Sequence, residues 1–271
     1  MSDLLSPGFV FHQSNLQAFQ ICRYSFLLRY VRKLIWPAPL SSRTSNFEQD
    51  LASGSMLHSL ICQYFLGIDP KMLVLCAKNF SDARVFTWFD NFLASPYARR
   101  RENQFPEHNM QITLGNSLLL AKFDLITIED EIIQICDWKT SRFLPKRHFL
   151  QNRIQTKVYS VVAAKSRSQA SQRVTMHYWE ASYPDQPIVF EIPDFQLERY
   201  QDDLMNLISL IRSLNVEQFK RTEDQTRCAC CEFQSYCARW GSESDEESLY
   251  HWLDLGYTDL QGISNEVPNA F

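Results

Sequence analysis

The sequence predicts an α/β fold: a mixed β-sheet flanked by helices, with a helical N-terminal region and a cysteine-bearing C-terminal segment. Residues 118–142, LLLAKFDLITIEDEIIQICDWKTSR, read as two apolar strands joined by an acidic turn, with charged residues set into them. Around them lie segments whose apolar residues recur every three or four positions, the helical period, at 14–35, 47–67, 147–165 and 195–219. Near the far end, RCACCEFQSYC places four cysteines within ten residues.

The totals allow such a core. The chain has 271 residues, 45% hydrophobic and 13% aromatic, enough for one large domain. A formal charge of −4 argues against a simple basic nucleic-acid binder. That charge is unevenly spread, because residues 241–271 carry seven acids and no Lys or Arg, leaving the rest of the chain at +3. Ser14–Arg43 and Arg99-Arg100-Arg101 are locally basic. No apolar run reaches membrane-spanning length and no signal-peptide layout is present, so the expectation is a cytoplasmic protein with no membrane partner. Eight cysteines in that setting call for burial or a metal rather than a disulfide framework. The expected layout is one domain over 1–240, with a first helix at 14–36, a helical region at 47–104, the sheet core at 105–192 and a helix with the cysteine cluster at 194–240. An acidic tail follows at 241–271.

The elements follow in order. Residues 14–35 predict a continuous helix opened by a Ser14/Gln17 capping box, with Cys22 on its apolar side, and Pro37 and Pro39 end it. Residues 47–67 predict a second helix, on which Gly54 and His58 share a face with Ile61 and Phe65. The glycine would let another element approach closely and the imidazole would point into that contact. Cys62 and Cys76 read as core. Residues 70–95 continue as helices, and 97–104 form a polar loop. Phe105–Leu114 predicts the strand before the central hairpin, turned by Gly115-Asn116. Glu107 near its start reads as an edge charge, with a part in holding a metal as the other option. After Lys139 comes a polar loop with Thr140, Ser141 and Arg142. The helix over 147–165 would align Gln151, Gln155 and Tyr159 in one polar stripe. Strands at 172–181 and 187–192 close the sheet, and Phe195–Phe219 predicts a long amphipathic helix.

The chemistry concentrates at the ends of the central strands, Ser117–Ile128 and Glu131–Lys139. Alternation puts Asp137 and Lys139 on one face with Ile133 and Ile135. A hairpin closed symmetrically about Glu129-Asp130 sets Asp124 opposite Ile135, so Asp124 and Asp137 become diagonal neighbours, about 7–8 Å apart at Cα. Two carboxylates and an ammonium at one strand end suit a hard divalent cation such as Mg²⁺, which polarises a phosphate and activates water. Lys139 would orient the nucleophile or stabilise the transition-state charge. Charged groups embedded in apolar strands are costly unless they are used. At the C-terminus, Cys228, Cys231 and Cys237 are spaced C-x2-C-x5-C, with Cys230 extra. Three local thiolates need a fourth ligand from elsewhere, and Cys22 is the natural candidate; zinc and iron–sulfur both take four thiolates.

With these pieces in order, the chain resembles the PD-(D/E)XK nuclease superfamily, and most closely its RecB-like and AddB-like branch that carries a cysteine-held iron–sulfur cluster, as in the CRISPR-associated RecB-like exonucleases. The likeness runs from about Ser14 to Trp240. SNLQAFQICRYSFLLRYV looks like that branch's opening helix, with Cys22 as first cluster ligand, and GSMLH matches G-x-x-x-H, which implies His58 as a metal ligand. AKFDLI matches the first acidic motif through Asp124, although Ala121 stands where a glycine is common. ICDWKTS matches D-x-K, implying Asp137 as second carboxylate and Lys139 as catalytic lysine. QTKVY matches Q-x-x-x-Y, so Gln155 and Tyr159 would contact DNA or support Lys139. CACCEFQSYC supplies Cys228, Cys231 and Cys237, with Cys230 as a competing thiol.

The resemblance implies a restriction-endonuclease-like fold and a metal-dependent deoxyribonuclease. It would use Mg²⁺ or Mn²⁺ at His58, Asp124 and Asp137, carry a [4Fe–4S] cluster, and act as an exonuclease on single-stranded DNA or ends. It further implies a role in DNA repair, recombination or CRISPR-like processing. The chain lacks a phosphate-binding G-x-x-x-x-G-K-[S/T] loop, so a helicase or nuclease-complex partner would supply any motor. The alternatives are a non-catalytic DNA-binding or complex-assembly subunit that keeps the fold, and a zinc-bound interaction protein in which D-x-K is accidental.

Overall fold

The computed structural model describes residues 4–36, 42–167, 169, 172–228 and 231–239. The expectations for Cys230 and for the tail 241–271 lie outside these residues.

Six strands form one mixed sheet: β1 (Val10–His12), β2 (Gln104–Leu114), β3 (Ser117–Ile128), β4 (Ile132–Lys139), β5 (Arg173–Glu180) and β6 (Ile188–Ile192). The order is β1-β3-β4-β5-β6, and β2 pairs with β3 off that path. β2 runs antiparallel along nearly the whole of β3, from Gln104↔Thr127 to Leu114↔Ser117. On the other edge of β3, β1 pairs in parallel with Leu118–Leu120, and β4 pairs only with 125–128, ending at Leu125↔Cys136. Beyond that pair β3 and β4 part, while β4 continues in parallel with β5 to Lys139↔Glu180.

The expected hairpin register is corrected by two residues. The turn closes about Asp130-Glu131, not Glu129-Asp130, because Glu129 N–H donates to the Ile132 carbonyl at 2.9 Å. The Glu131 carbonyl is taken by Arg173 N–H at the start of β5. A two-residue shift keeps side chains on their predicted faces along the paired stretch, 125–128 with 133–136. Extended beyond its last pair, this register puts Asp124 across from Asp137 rather than diagonal to it.

Helices cover both faces. On one lie α1 (Gln13–Ile21), α7 (Ile154–Lys165) and α8 (Asp194–Ser213). Leu16, Phe19, Val158, Val162, Leu204 and Ile208 from these helices are buried with Phe123, Ile133, Ile135 and Met176 of the sheet. On the other face lie α3 (Ser42–Phe65), α4 (Pro70–Asn79) and α5 (Arg84–Ala94). Their Leu57, Ile61, Phe89 and Phe92 pack with Leu125, Cys136, Trp138 and Trp179.

Five local expectations are corrected. The first helix does not open on a Ser14/Gln17 box; the Asn15 carboxamide accepts from His12 N–H at 3.0 Å and donates to the Val10 carbonyl at 3.0 Å, capping α1 and ending β1 together. Nor is that helix continuous. Cys22 is extended (φ −155°), with α2 (Arg23–Phe26) and a π-helical turn (Leu27–Val31) following. Tyr24 N–H donates to the Lys220 carbonyl, and Arg227 takes the Gln20 and Ile21 carbonyls that the break leaves open. The helix over 147–165 is two, α6 (Arg147–Asn152) and α7, broken at extended Arg153. The Thr156 hydroxyl takes the Leu150 carbonyl there, and Gln151 is separated from the Gln155/Tyr159 stripe. Finally, α8 stops at Ser213, since Asn215 and Gln218 cap a fresh 3-10 turn with reciprocal bonds of 3.2 and 2.8 Å. Cys76, expected in the core, is exposed; the buried stripe of α4 is Leu73 and Ala77. Among the described residues, no helix is long and apolar enough to cross a membrane.

Candidate metal centre

The site forms where β3 and β4 separate. With the ladder ended, Asp124 occupies the widening gap and its Oδ2 accepts from Trp138 N–H at 2.9 Å. The adjoining side chains show that β3 changes face here. Phe123 packs into one core and Leu125, two residues on, into the other. Strict alternation would put both on one side.

His58 reaches the gap from α3, its Nδ1 3.3 Å from Asp124 Oδ1. Gly54, one turn earlier, makes that approach feasible. A Cβ there would meet Thr140 Oγ1 at 3.2 Å, in the loop that follows Lys139. The close approach expected of Gly54 is therefore present, and its partner is the loop after D-x-K.

Asp137 is fully buried and held on both oxygens. Oδ1 accepts from Gln155 Nε2 at 2.7 Å, and Oδ2 is 2.8 Å from Lys139 Nζ. Gln155 Nε2 is also 3.4 Å from the Tyr159 hydroxyl, which donates to the Lys122 carbonyl. The Tyr159 ring packs against Phe123 with centroids 4.9 Å apart. The Gln155/Tyr159 stripe does not face water; both side chains are buried against the sheet and brace the two carboxylate-bearing strands.

Glu107 is corrected from edge charge to part of the constellation. Ligand atoms of His58, Glu107 and Asp124 all lie within 4.8 Å of one another. The β2–β3 ladder pairs Pro106 with Leu125 and His108 with Phe123 but omits the pair between them, Glu107 and Asp124. Glu107 sits there at φ +47°, a left-handed conformation that costs a non-glycine residue on the order of 1–3 kcal/mol. Its Oε2 is 2.6 Å from Lys122 Nζ. A sequence signal existed: closure about Gly115-Asn116 sets residue 107 opposite residue 124. Glu180 was missed altogether. It is fully buried, pairs with Lys139 across β4–β5, and accepts from the Ser141 N–H and hydroxyl at 3.2 and 3.3 Å, fixing the loop after Lys139.

The electrostatics match a cation site. Burial by itself pushes the His58 imidazole down, but the charge and hydrogen bond of Asp124, helped by Asp137, raise it to about 9. Burial likewise opposes ionisation of Asp124, yet His58, Lys139 and the Trp138 N–H hold its carboxyl below the usual range. A proton on His58 thus occupies a strongly negative position. One nitrogen with the carboxylates of Glu107 and Asp124 suits Mg²⁺, and the nitrogen also accommodates Mn²⁺; Asp137, expected as a ligand, lies outside that group and is held instead by Gln155 and Lys139.

A second constellation lies at the break after α1. Cys22, Cys228, Cys231 and Cys237 line one cavity together with Arg221 and Arg239. Arg29–Glu232 (2.6 Å) and Trp36 Nε1–Ser235 Oγ (2.7 Å) tie the N-terminal segment to the cysteine-bearing one. Burial pushes the thiols of Cys228, Cys231 and Cys237 up, Cys231 to about 12. The four cysteines expected together therefore share one cavity, but among the described residues the group whose ligand atoms lie close enough to hold one ion is that of His58, Glu107 and Asp124.

A family model described as the PD-(D/E)XK nuclease superfamily matches residues 11–238. No curated protein sequence is similar enough to count as a match. Among solved structures, a proposed exonuclease from Eubacterium rectale is similar at 11% identity and a TM-score of 0.54, over 90% of this chain and 93% of that one. The structure of SSO0001 is similar at 14% identity and a TM-score of 0.40, over 85% and 86% of the two chains. The first likeness bears on fold, and the mixed sheet flanked by helices is of the restriction-endonuclease-like kind that it shares.

Proposed function

The chain belongs to the PD-(D/E)XK nuclease superfamily, and from that membership we propose that it is a metal-dependent deoxyribonuclease, an exonuclease acting on single strands or ends. The observation that carries the reading is that two contacting pairs, His58 with Asp124 and Lys139 with Asp137, lie within electrostatic reach of each other at one strand divergence, with Asp137 clamped between Gln155 and Lys139. Nucleases of this superfamily work with divalent metals; here His58, Glu107 and Asp124 would hold Mg²⁺ or Mn²⁺, with Asp137 as a further ligand. When bound, the ion supplies Lewis-acid polarisation of the phosphate and a water of lowered pKa. The protein's own groups do the rest. Gln155 fixes the rotamer of Asp137, so the carboxylate presents Oδ2 to Lys139. Lys139, poised by that contact, donates to the phosphoryl oxygen or the attacking water as negative charge develops. Tyr159 anchors β3 through the Lys122 carbonyl and keeps Asp124 in register.

The reading includes a [4Fe–4S] cluster on Cys22, Cys228, Cys231 and Cys237, closing a loop of about 200 residues between the first helix and the C-terminal segment. It also includes a cytoplasmic role in DNA repair, recombination or CRISPR-like end processing, with any helicase supplied by a partner chain.

The test is cleavage of end-labelled single- and double-stranded DNA by anaerobically purified protein with Mn²⁺ or Mg²⁺, beside Asp137→Ala and Lys139→Ala. Wild-type cleavage reduced by about 100-fold or more in both variants is expected, and the product ladder gives polarity. Iron and acid-labile sulfide in equal amounts are expected in the same preparation. Zinc in their place refutes the cluster. A folded, metal-loaded wild type that binds DNA without cutting it returns the protein to the non-catalytic alternative.

A further inference from the structure

Residues 140–154 leave the site at Lys139 and return to it at Gln155, and both of those residues hold the Asp137 carboxylate, at 2.8 and 2.7 Å. The segment is rooted at the centre on both sides. Its composition sets it apart: four cationic residues, Arg142, Lys146, Arg147 and Arg153, and no acid, in a chain of formal charge −4. Its aromatic residues face outward. Phe143 is 50% and Phe149 39% exposed, and the His148 and Phe149 rings lie 4.3 Å apart at 33°. Lys146, Arg147 and His148 between them are exposed. The loop is also tied down. Arg142 pairs with Asp50 at 3.0 Å and its carbonyl accepts from the Tyr183 hydroxyl at 2.9 Å, while Leu150 is buried in the core. Phe143 is four residues from Lys139, so their Cα atoms are at most about 14 Å apart.

We propose that 142–149 is a stacking platform for single-stranded nucleic acid, with Phe143 and Phe149 receiving unpaired bases and Lys146 and Arg147 the flanking phosphates. Exposed rings cost free energy in water, and rings interleaved with cations are what a strand of alternating bases and phosphates engages. A duplex keeps its base faces stacked internally, so it would gain from the cations but not from the rings. This inference deepens the nuclease reading and rests on it for a centre to which the platform delivers the strand.

The test is fluorescence anisotropy with a labelled single-stranded oligonucleotide and a blunt duplex, using the full chain in EDTA so that binding is separated from chemistry. Phe143→Ala/Phe149→Ala is expected to weaken single-strand binding about fivefold or more per ring while duplex binding is unchanged. Lys146→Ala/Arg147→Ala is expected to weaken both ligands and to flatten the single-strand salt dependence by roughly 0.7 in log–log slope for each phosphate no longer neutralised. Equal single-strand affinity of wild type and the ring variant, or no wild-type affinity for the single strand, overturns the platform. Hydrolysis of bis(4-nitrophenyl) phosphate with Mn²⁺ reads the centre without a strand to stack. An unchanged rate in the ring variant, with a raised KM for the oligonucleotide, supports the platform. Abolished ester hydrolysis in the ring variant means that the rings act on the centre and overturns it. Wild type inert toward both ester and DNA defeats the nuclease reading, and the anisotropy result still decides the platform.

Discussion

Glu107 carries a cost that its strand does not require. A non-glycine residue at φ +47° in the middle of β2, opposite Asp124, interrupts an otherwise regular ladder, and what it gains is a carboxylate beside His58 and Asp124. Such strain persists where the surroundings over-determine it, often at functional sites. Two substitutions separate strain from ligation. Glu107→Gly relieves the left-handed backbone and is expected to leave the melting temperature unchanged or raised. Glu107→Gln keeps the strain and removes the charge. Both are expected to shift the Mn²⁺ titration midpoint upward by about tenfold or more, the range seen when groups tuning a metal site are removed. A Glu107→Gly protein with lower stability and unaltered metal affinity would mark the residue as structural.

At the scale of elements, the centre depends on α3 lying against the loop after β4. Gly54 is the contact point, and the loop's other restraints are Glu180 through Ser141 and Asp50 through Arg142. Gly54→Ala gains up to about 1 kcal/mol of helix propensity but places a methyl 3.2 Å from Thr140 Oγ1. The loop can yield by a few tenths of an ångström, so the fold survives; Lys139, one residue before Thr140, is displaced. The expected outcome is an unchanged or higher melting temperature with kcat lowered about tenfold, small misplacements being costly at a reacting centre. Gly54→Ala/Thr140→Ala is expected to recover most of that activity, as a coupled pair in contact should. Additive reductions in kcat would show that the contact does not position Lys139.

For the whole molecule, two half-buried imidazoles make stability depend on pH. Burial holds His12 and His177 neutral, each down to about 4 against an ordinary 6.5. The unfolded chain therefore takes up these protons first as pH falls. Their contribution to stability is fully present above about 6.5 and is lost as pH descends toward about 4, on the order of 2 kcal/mol for His12. Urea midpoints measured between pH 6.5 and 4.5, where His58 is already protonated in the folded chain, should fall steadily, and His12→Gln should flatten the decline. A midpoint independent of pH across that window would contradict the burial of both rings.

Much of the site was legible in the residues. Asp137 and Lys139 share a face because alternation along a strand is a local rule, and the hairpin through Asp124 follows from two apolar runs around an acidic turn. The C-x2-C-x5-C spacing likewise singles out Cys228, Cys231 and Cys237, which line one cavity with Cys22. What local pattern leaves open is where an element yields to a distant partner. Lys220 and Arg227 draw the first helix open at Cys22, and Glu131 is claimed by β5 so that the hairpin closes about Asp130-Glu131. The flip of β3 at Asp124 and the strained Glu107 opposite it arise from strands leaving and joining the same sheet. Those are competitions between backbone partners far apart in the chain, settled by which hydrogen bonds the packed sheet and helices can satisfy together. The residue types and their spacing belong to the sequence. The directions in which their side chains meet were decided by the tertiary structure.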